Sequence, residues 1–159
     1  MPVLFQVQVR SVIVHQPRLL RLVQAVLAEV GESSAELGLS FIGDRRMQRL
    51  NRRFRRKDRT TDVLAFAMRE ARTPHASRLA AGLLGDVAIS IPTAIRQARE
   101  AHRSLDHEIV TLLVHGILHL CGYDHERSES EARRMQRRER MVLRGLGKIP
   151  SLVRPTAGR

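Results

Sequence analysis

Aromatic side chains make up only 3% of this 159-residue chain, and tryptophan is absent. A core must therefore be built from Leu, Val, Ile and Ala, and the 43% hydrophobic content is enough for one domain of this length. A single cysteine, Cys121, excludes an internal disulfide and fits a reducing compartment. Nowhere does the sequence reach the ~18 consecutive apolar residues that a membrane span requires. The opening MPVLFQVQVRSVIV has no basic stretch leading into an apolar run, which predicts no signal peptide. These absences predict a soluble, cytoplasmic protein with no membrane partner. Acidic residues are also in short supply: 28 Lys and Arg against 16 Asp and Glu leave a formal charge of +12. Such an excess fits a polyanionic partner, because neutralised phosphates release condensed counterions, although net charge also serves solubility.

What is present reads as strands and helices in alternation. Val3 to Val14 alternates Phe5, Val7 and Val9 against Gln6, Gln8 and Arg10, the period of a half-buried strand. Pro17 opens a helix whose Leu19, Leu20, Val23, Val26, Leu27 and Val30 recur at helical spacing until Gly31. Leu37 to Ile42 predicts a second strand. Asp44 is placed to N-cap a short basic helix running from Arg45 to about Phe54. Asp62 to Met68 is apolar enough for an interior strand, Arg69 to Ala81 reads as a loop, and Gly85 to Ile91 as a further strand. Pro92 starts a helix to about His102. From about Leu105 to Cys121 a helix apolar almost all round should be central and buried, with Gly122 ending it. Ser128 and Glu131 form a capping box for a last helix to about Gly145, with Ala132, Met135, Val142 and Leu146 inward. The segment from Pro150 to Arg159 predicts a frayed basic tail. The expected fold is thus α+β, one compact domain over residues 1–149, with a small mixed sheet against helices and one buried, metal-bearing helix.

The chemistry concentrates in HGILHLCGYDH, residues 115–125. Residues four apart share a helix face, so His115 and His119 can present their rings to one ion. Gly122 turns the chain and lets His125 return as a third ligand. Three neutral imidazoles suit Zn²⁺ and leave a fourth position open, the arrangement of a catalytic ion. Histidines on an apolar helix can also be satisfied core residues, but two on one face are expensive to bury without a common partner. The spacing matches the extended zincin signature H-E-x-x-H-x-x-G-x-x-H, with Gly116 where those metalloproteases carry their general base. A peptidase would lack its proton acceptor here. RNA, with a 2′-hydroxyl beside every phosphodiester, fits such a site better.

The same segment resembles the H-G-x-L-H-L-x-G-Y-D-H motif of the YbeY family of single-strand-specific endoribonucleases. Residues 51–66, NRRFRRKDRTTDVLAF, are similar to that family's N-x-x-Y/F-R-x-K-D-x-P-T-D-V-L-S-F, and LGDVAIS at 84–90 to its L-G-D-I-x-I-S strand. Thr60, Ala65 and Ala67 depart from the pattern, at positions where proline, serine and proline are common. The resemblance, which covers about residues 44–146, implies a zinc-dependent endoribonuclease with one ion per chain. It further implies single-stranded RNA as substrate, maturation of the 16S rRNA 3′ end, ribosome quality control and contact with the small ribosomal subunit. It also implies a substrate-binding or catalytic role for Arg55, which could grip a phosphate at two points. Without the resemblance Arg55 reads as one more solvated charge beside Arg45, Arg46, Arg49, Arg52, Arg53 and Arg56.

Several other residues have two readings. Asp124 could orient a ligand, accept a proton, or cap its own turn. Cys121, two residues from His119, points away from the ligand face and reads as a small buried side chain. Glu139 on the inward stripe of the last helix suggests an ion pair with a neighbouring arginine. His15, His75, His102 and His107 lack ligand spacing and read as surface or local structure. Two competing functions remain: a zincin-like metalloprotease, and a non-catalytic, ribosome-associated RNA-binding factor with a structural zinc.

Overall fold

Two apolar layers, one on each face of a four-stranded sheet, organise the chain. The computed structural model describes residues 3–68 and 82–156. In chain order it comprises β1 (Val3–Val7), β2 (Val12–Val14), α1 (Gln16–Glu29), β3 (Glu36–Ile42), α2 (Asp44–Arg55) and β4 (Val63–Ala67). There follow β5 (Leu83–Ser90), α3 (Ile91–Glu100), α4 (Leu105–Leu120), α5 (Glu129–Leu146) and β6 (Val153–Pro155). The main sheet has the order β1-β3-β5-β4, with β4 antiparallel to β5 and the other neighbours parallel. This is the α+β domain with a mixed sheet that the alternation of elements predicts. The loop expected at Arg69 to Ala81 lies outside the described residues.

Strand periodicity sorts side chains between the two layers. Leu37, Leu39 and Phe41 of β3 and Val87 and Ile89 of β5 enter the larger core, which they share with α1, α4 and α5. Ile42, Leu64 and Ala88 point the other way and meet Met47 of α2. Gly85 sits where the β3–β5 register slips at Glu36/Leu37. Its φ of +153° and the Phe66 carbonyl, which occupies the place a Cβ would need, leave no room for a side chain. Helix α4 is buried along most of its length. Its one buried carboxylate, Glu108, is held by Arg103 through Nε at 2.8 Å and a second nitrogen at 2.6 Å.

Four expectations need correction. Val3 to Val14 is two strands: β1 pairs with β3, whereas β2 pairs with β6 in a separate two-stranded sheet. Alternation reports exposure but not which partner a strand takes. Asp62 to Met68 yields an edge strand, with no strand beyond it among the described residues; its apolar side chains are covered instead by α4 on one face and by the α2 layer on the other. Asp44 is the first helical residue and does not cap α2; Gly43 holds that position. The Asp44 carboxylate instead accepts from Ser90 Oγ at 2.6 Å, Thr93 Oγ1 at 2.7 Å and Thr60 Oγ1 at 3.2 Å, and pairs with Arg96 at 2.9 Å. Burial works to raise its pKa, but these hydrogen bonds and the guanidinium hold it below the usual value. Finally, the expected tail is ordered through residue 156. Leu152 is fully buried, and Asp106 Oδ1 accepts from the backbone N–H groups of Leu152 and Val153 at 2.8 and 3.0 Å.

Candidate metal centre

Helix α4 sets the first two ligands. Ser104 caps its start by accepting from His107 N–H at 3.0 Å, and the apolar packing of Ile109, Leu113, Val114 and Ile117 fixes the helix's rotation. That rotation leaves His115 and His119 half-buried at one cleft. At the far end Gly122 takes φ +101°, and Tyr123 N–H donates back to Leu118 O at 3.1 Å. The chain thus reverses and brings His125 to the same place. Asp124 steadies the turn by accepting from Glu126 N–H at 2.9 Å, which is the backbone-capping reading of this residue.

His119 Nε2 lies 3.2 Å from His115 Nε2. One ring nitrogen from each of His115, His119 and His125 falls within 4.8 Å of the others, so the three could hold a metal ion. Nitrogens ~2.0–2.1 Å from a tetrahedral ion stand about 3.3 Å apart, so the closest pair already has the spacing of ligands to one centre. No other such group of His, Cys, Asp or Glu occurs among the described residues. Burial, the neighbouring His115 and His125 rings and Arg55 together hold His119 below the ordinary imidazole pKa, against the opposing effect of Asp124. The neutral ring that results at neutral pH is the form that ligates metal.

Glu139 departs from its expected role. Its Oε2 lies 2.5 Å from His115 Nδ1 rather than pairing with an arginine. A carboxylate on the far nitrogen of a ligand histidine fixes the tautomer and aims Nε2 at the ion position. The sequence signal was a carboxylate on α5's inward stripe, between the buried Met135 and Val142.

Arg55 ends α2 and lines a 290 Å³ cleft together with the three histidines. Lys57 and Arg59 line the same cleft. They are folded there because α2 stops at Arg56, which takes a left-handed φ of 57°, and because the buried Asn51 amide donates to Arg59 O at 2.9 Å. The sequence offers Asn51 only as the first residue of the 51–66 motif, with no role; its helical periodicity alone does not mark it among the arginines. Arg45, Arg49 and Arg52 lie on another side of α2, around a separate 300 Å³ depression. His15 caps α1 by accepting from Arg18 N–H at 3.4 Å, and His107 lies 3.5 Å from Thr111 Oγ1. His75 is outside the described residues. Cys121 is half-buried at the α4 C-cap.

Gly116 has a packing role as well. A Cβ there would stand 2.9 Å from Val87 Cγ1 and 3.4 Å from Val63 Cγ2. Val87 is 1% exposed and β-branched, so it cannot swing aside. Gly116→Ala should therefore lose stability despite its better helix propensity. Overpacking costs ~1–3 kcal/mol and propensity returns about 1, a net loss near 1 kcal/mol. A thermal midpoint lowered by ~2–4 °C in calorimetry is the expected result; an unchanged or raised midpoint would show that the packing is loose.

Comparison with known proteins agrees with this geometry. A family model described as Endoribonuclease YbeY matches residues 5–147. Three proteins named Endoribonuclease YbeY illustrate the range of relatives. That of Anaeromyxobacter sp. (strain Fw109-5) is 45% identical over 130 residues, spanning 82% of this chain and 64% of the relative. Its counterpart in Geobacter metallireducens is 44% identical over 128 residues, 80% of this chain and 83% of the relative. The Aquifex aeolicus protein is 38% identical over 135 residues, 85% and 86% of the two chains. This chain thus spans slightly less than two thirds of the Anaeromyxobacter protein and most of the other two. The solution structure of TM1509 from Thermotoga maritima, at 22% identity, shares the fold with a TM-score of 0.61 over 91% of this chain and 88% of that one. A match over nearly the whole sequence, on a fold that gathers the three motif histidines at one cleft, makes this chain a member of the YbeY family.

Proposed function

We propose that this protein is a metal-dependent endoribonuclease that cuts single-stranded RNA, with one zinc ion per chain held by His115, His119 and His125. The observation that carries the reading is the shared cleft. Its imidazoles stand beside Arg55, Lys57 and Arg59, none of which forms an ion pair with any described residue. Cations with no ion-pair partner among the described residues, standing at a metal site, suit a phosphodiester. When bound, the ion supplies Lewis-acid polarisation and makes water a stronger acid. Arg55 grips the scissile phosphate at two points, and Lys57 and Arg59 hold the neighbouring ones. Glu139 keeps His115 in one orientation. The small-subunit ribosomal RNA, cut at the 16S 3′ end in the cytoplasm during maturation and quality control, is the proposed substrate. A metalloprotease is disfavoured because residue 116 bears no carboxylate and has no space for one.

The direct test is metal content paired with cleavage of an unpaired RNA. One zinc per chain, with activity lost on chelation and regained on metal return, is expected; a fully loaded protein inert toward RNA overturns the proposal. Affinity should also fall steeply with salt, at a log–log slope near −0.7 for each phosphate contacted.

Arg55 can be separated from the rest of the basic face. Arg55→Lys keeps the charge and loses the planar fork, so cleavage at saturating RNA should drop by at least ~10-fold with zinc unchanged, about 1.4 kcal/mol in the transition state. Arg49→Lys should leave that rate nearly intact. Equal behaviour of the two variants would return Arg55 to the solvated face.

A further inference from the structure

Among the described residues, the outer edge of β4 runs beside the histidines with part of its backbone unpaired. β4 pairs, among the described residues, only with β5, in the register Val63↔Ile89 through Ala67↔Gly85. Ser90 N–H donates to Asp62 O at 2.9 Å and Met68 N–H to Leu84 O at 3.2 Å, which marks residues 62 and 68 as facing β5. Hydrogen-bonding direction alternates along an antiparallel strand. Leu64 and Phe66 therefore also face β5, while Val63, Ala65 and Ala67 turn their N–H and C=O groups outward. The Val63 N–H is taken by Asp62 Oδ1 at 2.8 Å. Ala65 and Ala67 have no hydrogen-bond partner among the described residues.

Those two residues open onto the candidate centre. Arg55, Ala65, His119 and Glu126 line both the 290 Å³ cleft and an adjoining 170 Å³ cleft, which Ala67 also lines. The two clefts form one groove along the strand edge. An N–H and a C=O side by side make a poor phosphate site, because the carbonyl repels the anion. They complement a partner that presents an acceptor beside a donor. Another extended peptide does so, and so does the Watson–Crick edge of an unpaired nucleobase. Charge decides between them. Arg55, Lys57, Arg59 and Arg127 line the groove with Asp62, Asp124 and Glu126; Asp124 pairs with Arg127 at 3.7 Å, and the remaining Arg55, Lys57 and Arg59, on a chain of net charge +12, favour a polyanion.

We infer that the outward N–H and C=O of Ala65, with Ala67 beyond, read the Watson–Crick edge of an unpaired base next to the scissile phosphate. This rests on the RNA reading above and adds to it a physical origin for single-strand selectivity. A base already paired has no edge to offer, so a duplex cannot seat its backbone at Arg55 and the histidines. Ala65 is a positioning element in this scheme, since no side chain takes part.

An amide-to-ester replacement at Ala65 removes the N–H and keeps the methyl side chain; it also makes the Leu64 carbonyl, which faces β5, a weaker acceptor, so the ester protein is compared only after its thermal transition shows it folded. Cleavage of a short unpaired RNA by the zinc-loaded ester protein should fall about 10-fold in kcat/KM, the effect of one buried hydrogen bond. Abasic nucleotides, scanned through the cleavage site, should cost the natural protein a similar factor at one position and the ester protein less than ~2-fold there, because groups in contact are not additive. If the ester protein cannot be prepared folded, exchange of the Ala65 and Ala67 amides in the natural holoprotein should slow on adding a 2′-O-methylated single-stranded RNA. Equal abasic penalties in both proteins, or amides protected by an extended peptide and not by RNA, would overturn the inference while leaving RNA cleavage standing. Absence of any RNA cleavage by the natural protein would remove both.

Discussion

His119→Ala is expected to reduce zinc to under ~0.1 per chain and RNA cleavage by at least ~1000-fold, because two imidazoles and water do not retain the ion against buffer. The position is well suited to this test. His119 is half-buried, lies against both His115 and His125, and its side chain makes no hydrogen bond among the described residues beyond its contact with His115. Its loss should therefore empty the site without unfolding α4, whose packing rests on Ile109, Leu113, Val114 and Ile117. Elemental analysis on protein that retains its thermal transition measures the first effect, and single-turnover cleavage the second. His107→Ala, on the same helix but outside the cluster, should keep both. Full zinc occupancy in folded His119→Ala would sink the three-histidine site. Zinc lost with cleavage retained would instead leave the site as structural and move the chemistry elsewhere.

Much of this cluster was legible in the sequence because its geometry is local. His115 and His119 share a face by helical period alone, and a glycine at 122 is a sufficient reason for the chain to reverse within reach of His125. The Ser128 cap of α5 is equally local and is present, with Ser128 Oγ accepting from Glu131 N–H at 3.1 Å. What escaped was long-range pairing. The run Asp62 to Met68 looks like an interior strand because a helix can cover a sheet as completely as a neighbouring strand does; only the sheet order reveals the open edge. Leu152 and Val153 are two apolar residues in a polar stretch, too few to announce β6. Their anchor, the Asp106 carboxylate, lies 46 residues away from Leu152 in sequence. Asp44 has the residue type and position of an N-cap, yet three hydroxyls from other segments outcompete its own backbone for the carboxylate. For β4 and α2 local pattern identified the element and tertiary competition decided its partners, whereas β6 exists only through its long-range partners.

Glu139 joins these two kinds of information, and its variants should grade accordingly. The carboxylate does two things to His115: it accepts from Nδ1, which leaves Nε2 for the ion, and it places a negative charge behind the ring. Glu139→Ala removes both and should weaken zinc binding by ~30–100-fold, the upper part of the range for outer partners of ligand histidines. Glu139→Gln retains an acceptor of similar reach and loses only the charge, so about 10-fold is expected. Competition with a chromophoric chelator at fixed pH reads both constants. The order natural, Gln, Ala is the informative outcome. Equal, large losses in Gln and Ala would assign the effect to charge alone, and equal losses below ~2-fold would make the contact a packing detail of α4 against α5. Thermal stability is the control, because Glu139 and His115 are both partly solvated, with side chains 21% and 27% exposed. Solvent screening of such a partly solvated pair limits its contribution to folding. A metal affinity that falls while the metal-free protein melts unchanged is therefore the signature of a carboxylate that holds a ligand in place.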